Sequence, residues 1–251
     1  MLLLHANNPS PWTGPTGNNT YLLTGAAPAL IDAGIGEPAH LEAVAAALAG
    51  APLTSLLLTH GHPDHIGGLT AITARWPKVR VIRFGESIEE PIQAGSTVLR
   101  AVHTPGHSTD HLCFFDEESR DLYCGDLVRS GGSIVVPASK GGNVRHYLES
   151  LARARALSPR RLLPGHGPII ENPAAVIDEY VKHRRQREEE VLAALAEGLM
   201  APGQITSRVY GPLPPELAPA AEDTVLAHLM KLHDEGRAFV SDEGWRVTGA
   251  H

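Results

Sequence analysis

The chain has 251 residues, 43% apolar and 20% charged, enough for one large domain or a domain plus a small appendage, with a packed core. A formal net charge of -7 argues against a surface coated in positive charge for nucleic acid, although it leaves room for a local basic groove. Met1-Leu2-Leu3-Leu4-His5 is too short and lacks the basic residues of a signal peptide. The longest uncharged apolar stretch, Ala43 to Leu58, is broken by Gly50 and Pro52. It falls short of the roughly 20 residues a membrane helix needs, so a cytoplasmic protein without membrane contact is expected.

In chain order, Thr20 to Leu23 and Ala29 to Asp32 read as strands, punctuated by Gly25 and Pro28. Pro38 to Ala49 reads as a helix, with Pro near its start, an Ala/Leu interior and Gly50 at its stop. Leu53 to Leu58 is a buried strand delivering Thr59 and His60 at its tip. Ile66 to Trp76 is a second helix closed by Pro77, and Lys78 to Phe84 alternates as a strand. Val98 to Val102, Leu112 to Phe115 and Asp121 to Cys124 continue the strands; Val144 to Leu157 is a helix and Arg161 to Leu163 a strand. The pattern predicts an α/β layered fold whose loops build a site at the strand ends. Cys113 and Cys124 fall on neighbouring strands, across a hairpin turn, and are expected to be free buried thiols in a reducing compartment.

Beyond Ile170 the texture changes. Pro173 to Met200 is one long helical stretch carrying the run Lys182 to Arg187. At helical spacing Arg184 and Arg185 face Glu188 and Glu189, so a solvated, ion-paired face competes with a phosphate-binding role for that run. Gln204 to Tyr210 and Glu222 to Glu235 then read as helices around a Pro-rich loop. Ala238 to Val240 and Trp245 to Val247 flank a hairpin turn. Helix, helix, hairpin is the order of a winged helix-turn-helix, so the expected division is a catalytic domain over 1–200 and a small winged-helix-like domain over 201–251.

The chemistry sits in Thr59-His60-Gly61-His62-Pro63-Asp64-His65-Ile66-Gly67-Gly68, where four metal-capable side chains fall within six residues at a strand-to-helix junction. Imidazole and carboxylate suit zinc, and equally iron or manganese. On a strand His60 and His62 share a face, while Asp64 and His65 turn away into a helix; that split suits two adjacent metals. Further ligands are then needed at other strand ends, each beside a glycine. His107, Asp126 and His166 meet that requirement, in Pro105-Gly106-His107, Gly125-Asp126 and Gly165-His166-Gly167.

This set, His60-X-His62-X-Asp64-His65 followed by His107, Asp126 and His166, resembles the dinuclear ligand set of the metallo-β-lactamase superfamily, ordered as in its glyoxalase II-like members. The resemblance implies an αββα sandwich and two divalent metal ions, zinc first, with manganese or iron as alternatives. It places His60, His62 and His107 on one ion, Asp64, His65 and His166 on the other, and Asp126 between them. His103 is implied to be a supporting residue rather than a ligand. Two cations about 3.5–4 Å apart sharing a water lower its pKa toward roughly 7, so a bridging hydroxide is the expected nucleophile and Asp64 the residue whose loss removes activity. Zinc β-lactamases typically lack the bridging Asp, flavin-linked members replace ligands that are intact here, and the long nuclease branches carry insertions for which this chain has no room.

Asn7 to Pro11, Thr16 to Leu22, Pro164 to Ile170, His183 to Glu188 and the C-terminal module are similar to the lactamase-β-like endoribonuclease group, over nearly the whole chain. That likeness implies a phosphodiesterase on single-stranded RNA. A thioester or other small acyl substrate is the alternative, although glyoxalase II's glutathione-recognition residues cannot be located. A third reading is a regulator whose winged helix binds nucleic acid while the hydrolase-like site senses a metabolite. The resemblance leaves a homodimer open.

Overall fold

Strands from each half of the chain build one five-stranded sheet. The structure, a computed structural model, describes residues 1–86 and 91–249. Residues 87–90 and the end of the 201–251 segment, residues 250 and 251, lie outside the described residues.

The first sheet orders β1 (Leu2–His5), β2 (Asn19–Leu23), β3 (Ala29–Ile31), β4 (Ser55–Leu57) and β5 (Arg80–Ile82). The β3–β4 and β4–β5 pairs are parallel. Parallel neighbours require crossovers, which α1 (Pro38–Leu48) and the pair α2 (Pro63–Ile66) and α3 (Leu69–Arg75) supply. The second sheet orders β10 (Arg161–Pro164), β9 (Asp121–Gly125), β8 (Leu112–Asp116), β7 (Thr97–His103) and β6 (Ile92–Ala94). Here β9 and β10 are parallel, joined through α4 (Val144–Ala156).

Strand alternation distributes the side chains between layers. Tyr21, Leu23, Ile31, Leu57, Phe114, Tyr123 and Leu163 pack between the sheets. Their neighbours Leu22, Leu30, Leu56 and Leu58 meet α1 and α3 on one outer face. Cys113, Phe115, Leu122 and Leu162 meet α4 and α5 (Pro173–Ala196) on the other. Strands buried on both faces read as unbroken apolar runs, as Leu112 to Phe115 does. At roughly 1.5–3 kcal/mol for each large side chain buried, these three layers, and not the polar site, hold the fold. The arrangement is the αββα sandwich.

The C-terminal segment folds as α6 (Pro202–Tyr210), α7 (Ala218–Asp234) and the hairpin β11 (Ala238–Ser241) and β12 (Gly244–Val247). Val225, Leu229 and Leu232 of α7 form a separate core with Ile205, Ala238 and the last turns of α5. No helix among the described residues is long and apolar enough to cross a membrane.

Four details differ from the sequence reading. The helix expected over Ile66 to Trp76 is broken at Gly67-Gly68, because α3 starts against the chain after β3. A Cβ on Gly68 would lie 2.2 Å from the Ala33 carbonyl oxygen. β1 and β6 are not among the expected strands; both are short outer strands, and β1 leaves Leu2 and Leu3 exposed. α5 stops at Ala196, before Met200.

The basic run also packs differently. Arg184 is 1% exposed and is not paired to Glu188. Its residue stripe on α5, Ile177, Tyr180, Arg184 and Val191, is the one turned inward. Arg184 lies over the Tyr147 ring, 5.1 Å from its centroid. Glu188 pairs instead with Lys231 at 2.6 Å and Arg237 at 2.7 Å. Arg187 is held by Glu190 and the Val209 carbonyl and lies over Tyr210. Cys113 and Cys124 are free and buried. Burial pushes the Cys113 thiol up to about 12, so it is no nucleophile at neutral pH.

Candidate metal centre

All seven predicted ligands meet where the ends of the two sheets come together. The Thr59 carbonyl after β4 accepts the Leu112 N–H at 2.7 Å, tying one sheet to the other beside His60. α2 starts with Pro63 at its first turn, which places Asp64 and His65 on a single short turn. β10 delivers His166 through Gly165, where a Cβ would fall 2.6 Å from His65 Cε1 and 3.0 Å from Asp126 Oδ1; only glycine fits there. Asn19 fastens this loop by donating to the carbonyls of Pro164 at 3.0 Å and Gly167 at 2.7 Å.

His60, His62 and His107 form one group of donor atoms and Asp64, His65 and His166 another, while His60, His65 and Asp126 form a third that links them; the donor atoms of each group lie within 4.8 Å of one another. His62 Nδ1 lies 2.9 Å from His60 Nε2 and 2.8 Å from His107 Nε2. Asp126 stands between the groups. Its Oδ1 is 3.4 Å from His65 Nε2 and 3.2 Å from His166 Nε2, while Oδ2 is 3.5 Å from His107 Nε2. Asp64 Oδ2 lies 3.4 Å from His166 Nε2 and 3.6 Å from His65 Nε2.

The electrostatics divide the same way. Burial, then the neighbouring His107, holds His62 down at about 4. Burial likewise lowers His60 and His107, so these three imidazoles are neutral and carry free lone pairs. In the second group burial works against charge, but the carboxylate–imidazole contacts outweigh it. Asp64 and Asp126 stay well below the ordinary carboxylate range through His166 and His65, and His166 rises to about 9 through Asp126 and Asp64.

These residues fit metal ions. His65 Nε2 and Asp126 Oδ1 are buried without a hydrogen-bond partner among the described residues. Among the three nitrogens around His62, one proton can satisfy only one pair. Buried polar atoms left this way are costly, and imidazole nitrogens with carboxylate oxygens are the donor set of zinc, manganese or iron.

Three supporting residues are absent from the sequence reading. Asp32 accepts His65 Nδ1 at 2.7 Å, Thr59 N at 2.8 Å and Thr59 Oγ1 at 2.9 Å, aiming His65 Nε2 into the site. Its backbone is left-handed, φ 61°, a conformation that costs a non-glycine residue roughly 1–2 kcal/mol. Asn18 donates to Asp64 Oδ2 at 3.0 Å. His111, fully buried, lies beside His60 and accepts the Asp126 N–H at 3.1 Å. A signal existed for Asp32, a polar residue at a strand end like the ligands. His103, by contrast, stacks on Phe84 and bonds the Thr109 carbonyl, outside both groups.

The site opens into a cleft of about 810 Å³. Trp12, Ile134 and Val135 line it together with Pro219, Glu222 and Leu226 of α7.

A layered sandwich with this centre defines a class, and similarity to known proteins agrees with it. Residues 13–84 and 82–166 match the family model of the metallo-beta-lactamase superfamily, and 201–245 match the beta-lactamase associated winged helix domain. The chain belongs to the metallo-β-lactamase superfamily and is one of its metal-dependent hydrolases, carrying a C-terminal winged-helix domain. It is 34% identical to a Drosophila melanogaster beta-lactamase-like protein 2 homolog over 265 residues, covering 93% of this chain and 88% of that one. It is 32% identical to an atrochrysone carboxyl ACP thioesterase of Aspergillus fumigatus over 229 residues, covering 80% and 71%. A metallo-beta-lactamase family protein from Thermus thermophilus matches at 25% identity with a TM-score of 0.77, covering 98% of both chains.

Proposed function

We propose that the chain hydrolyses a thioester or similar acyl substrate with two divalent ions, zinc first among them. His60, His62 and His107 hold one, Asp64, His65 and His166 the other, and Asp126 lies between. When bound, such a pair supplies Lewis acidity to the scissile carbonyl and makes water acidic enough to act as nucleophile near neutral pH. The single observation carrying the choice of substrate is the cleft wall. It is largely apolar, from Trp12 and Ile134 to Pro219 and Leu226, and the carboxylates of Glu216, Glu222 and Asp223 lie on the α7 side. A polyanion is bound chiefly by cations at its phosphates, and in the run Lys182 to Arg187, where a phosphate-binding role competed with an ion-paired face, Arg184 is buried. The similarity to a named thioesterase supports the same reading.

The chain's own residues then divide the work. Asp64 has the most exposed carboxylate of the site, 30% against 11% for Asp126, so it is the carboxylate that meets the cleft most directly. Asn18 fixes its orientation. Residues 1–200 carry this chemistry, and the C-terminal domain contributes part of the cleft wall through Pro202 and α7.

Single-stranded RNA is the second reading, favoured by Arg129 and Lys140 on the cleft wall and by the resemblance of the sequence to the lactamase-β-like endoribonuclease group. Nucleic-acid binding by the winged helix is disfavoured, since α7 buries Thr224, Val225, Ala227, His228 and Leu229 within the chain. The experiment is hydrolysis of S-acyl N-acetylcysteamine thioesters beside a fluorogenic single-stranded RNA, with zinc, manganese or iron and with Asp64→Ala prepared identically. Thioester cleavage by wild type alone supports the acyl reading. RNA cleavage alone replaces it.

A further inference from the structure

His107 Nδ1 lies 2.6 Å from the Val135 carbonyl oxygen. A carbonyl only accepts, so Nδ1 carries the proton and the lone pair sits on Nε2, facing His62 and Asp126. Val135 therefore chooses both the tautomer and the aim of this imidazole. Yet residues 129–137, with Gly131 and Gly132, contain no helix or strand.

Two helices clamp that segment from opposite ends. From α5, Arg184 Nη2 donates to Ser133 Oγ at 3.1 Å and to the Ile134 carbonyl. The Tyr180 hydroxyl accepts the Arg129 N–H at 3.0 Å. From α7, Thr224 Oγ1 accepts the Val136 N–H at 3.4 Å, and Asp223 accepts Ser139 N at 2.8 Å and Oγ at 2.6 Å. Val135 lies between the two sets. A fully buried guanidinium is an expensive way to fill space, and an apolar side chain of that volume would pack at least as stably. Nε of Arg184 has no partner among the described residues, so the group is not there for complete satisfaction either. Beyond its stacking on Tyr147, what it supplies is direction, at the residue next to Val135.

We propose that Arg184 is a positioning residue for His107, acting through Ser133 and Ile134 on the Val135 carbonyl, with Thr224 and Asp223 of the winged-helix domain closing the clamp. The C-terminal domain thereby sets the donor atom of one ligand. The consequence for metal binding rests on the reading of His107 as a ligand; the orientation itself does not.

The test is histidine-selective 15N NMR on metal-free full-length protein, with His107 assigned through His107→Gln, followed by zinc titration calorimetry. Wild type should show His107 protonated at Nδ1. Arg184→Met and Thr224→Val should give mixed tautomers and weaken one of two zinc-binding steps about tenfold or more, while Arg184→Lys, which keeps a donor for Ile134, should recover part of both. If Arg184→Met does not fold, Thr224→Val and Asp223→Ala decide. Unchanged His107 resonances in the folded variants overturn the proposal, whatever happens to Tm. Tautomer changes without any wild-type zinc binding would uphold the positioning and refute the ligand reading instead.

Discussion

His111 Nε2 accepts the backbone N–H of Asp126 at 3.1 Å, while its Nδ1 lies 2.8 Å from Thr104 Oγ1. The accepting nitrogen must be unprotonated, so this ring is neutral with its proton at Nδ1; burial, then His107, holds its pKa down at about 3. A histidine that looks like an eighth ligand is thus the brace that fixes where Asp126 begins.

Replacing that brace should expose its role. His111→Phe leaves the Asp126 N–H buried without an acceptor, a loss of about 1–3 kcal/mol, and lets Asp126 move. We expect a lower urea midpoint together with a fall in kcat of about tenfold or more, and partial recovery of both in His111→Gln. A His111→Phe protein of wild-type stability and rate would show that the contact has no structural weight.

Asn18 holds Asp64 from the other side and receives Asn8 Nδ2 at 2.8 Å. Asn18→Ala is expected to lower kcat about 10- to 100-fold, the range for partners of ligating groups, with unchanged circular dichroism. Asn18→Asp should be worse, because it sets a like charge against Asp64. Equal rates for the two variants would count against orientation as the cause.

Chelation separates site from scaffold. Because the apolar layers hold the fold, dialysis against a strong chelator should abolish hydrolysis while leaving one cooperative thermal transition. Reloading with zinc, manganese or iron(II) should restore activity with at least one of them, and elemental analysis should find two ions per chain. Activity surviving complete metal removal would contradict the dinuclear reading.

His228 makes acid stability predictable. It is buried, and neither ring nitrogen has a partner among the described residues. Burial, then the positive charges of Arg184, Lys231 and Arg187, keeps its pKa well below the ordinary value. The unfolded chain protonates this ring near pH 6.5 and the folded chain does not. Stability contributed above about pH 6.5 is therefore lost as pH falls below it, by up to about 1.4 kcal/mol per pH unit. His228→Leu should flatten the urea-stability profile between about pH 6.5 and 5 relative to wild type. Parallel profiles would mean that His228 is protonated in the folded state.

The cluster of seven candidate ligands was legible in the sequence because its information is local. His60 to His65 fall on one strand-to-helix junction, and His107, Asp126 and His166 each follow a strand and adjoin a glycine. The apolar periodicity likewise reports which residues are buried, and hence most strand and helix positions. What escaped is whatever depends on which surface meets which. Asp32, Asn18 and His111 are ordinary polar residues until β3, the N-terminal loop and the start of β8 converge on the centre. Arg184 shows the limit most sharply. Its spacing to Glu188 is that of a solvated ion pair, yet α4 and α7 cover that face of α5, and the guanidinium meets Tyr147, Ser133 and Ile134 instead. Local spacing determines which side chains can pair along one helix, whereas desolvation by distant elements determines whether they do.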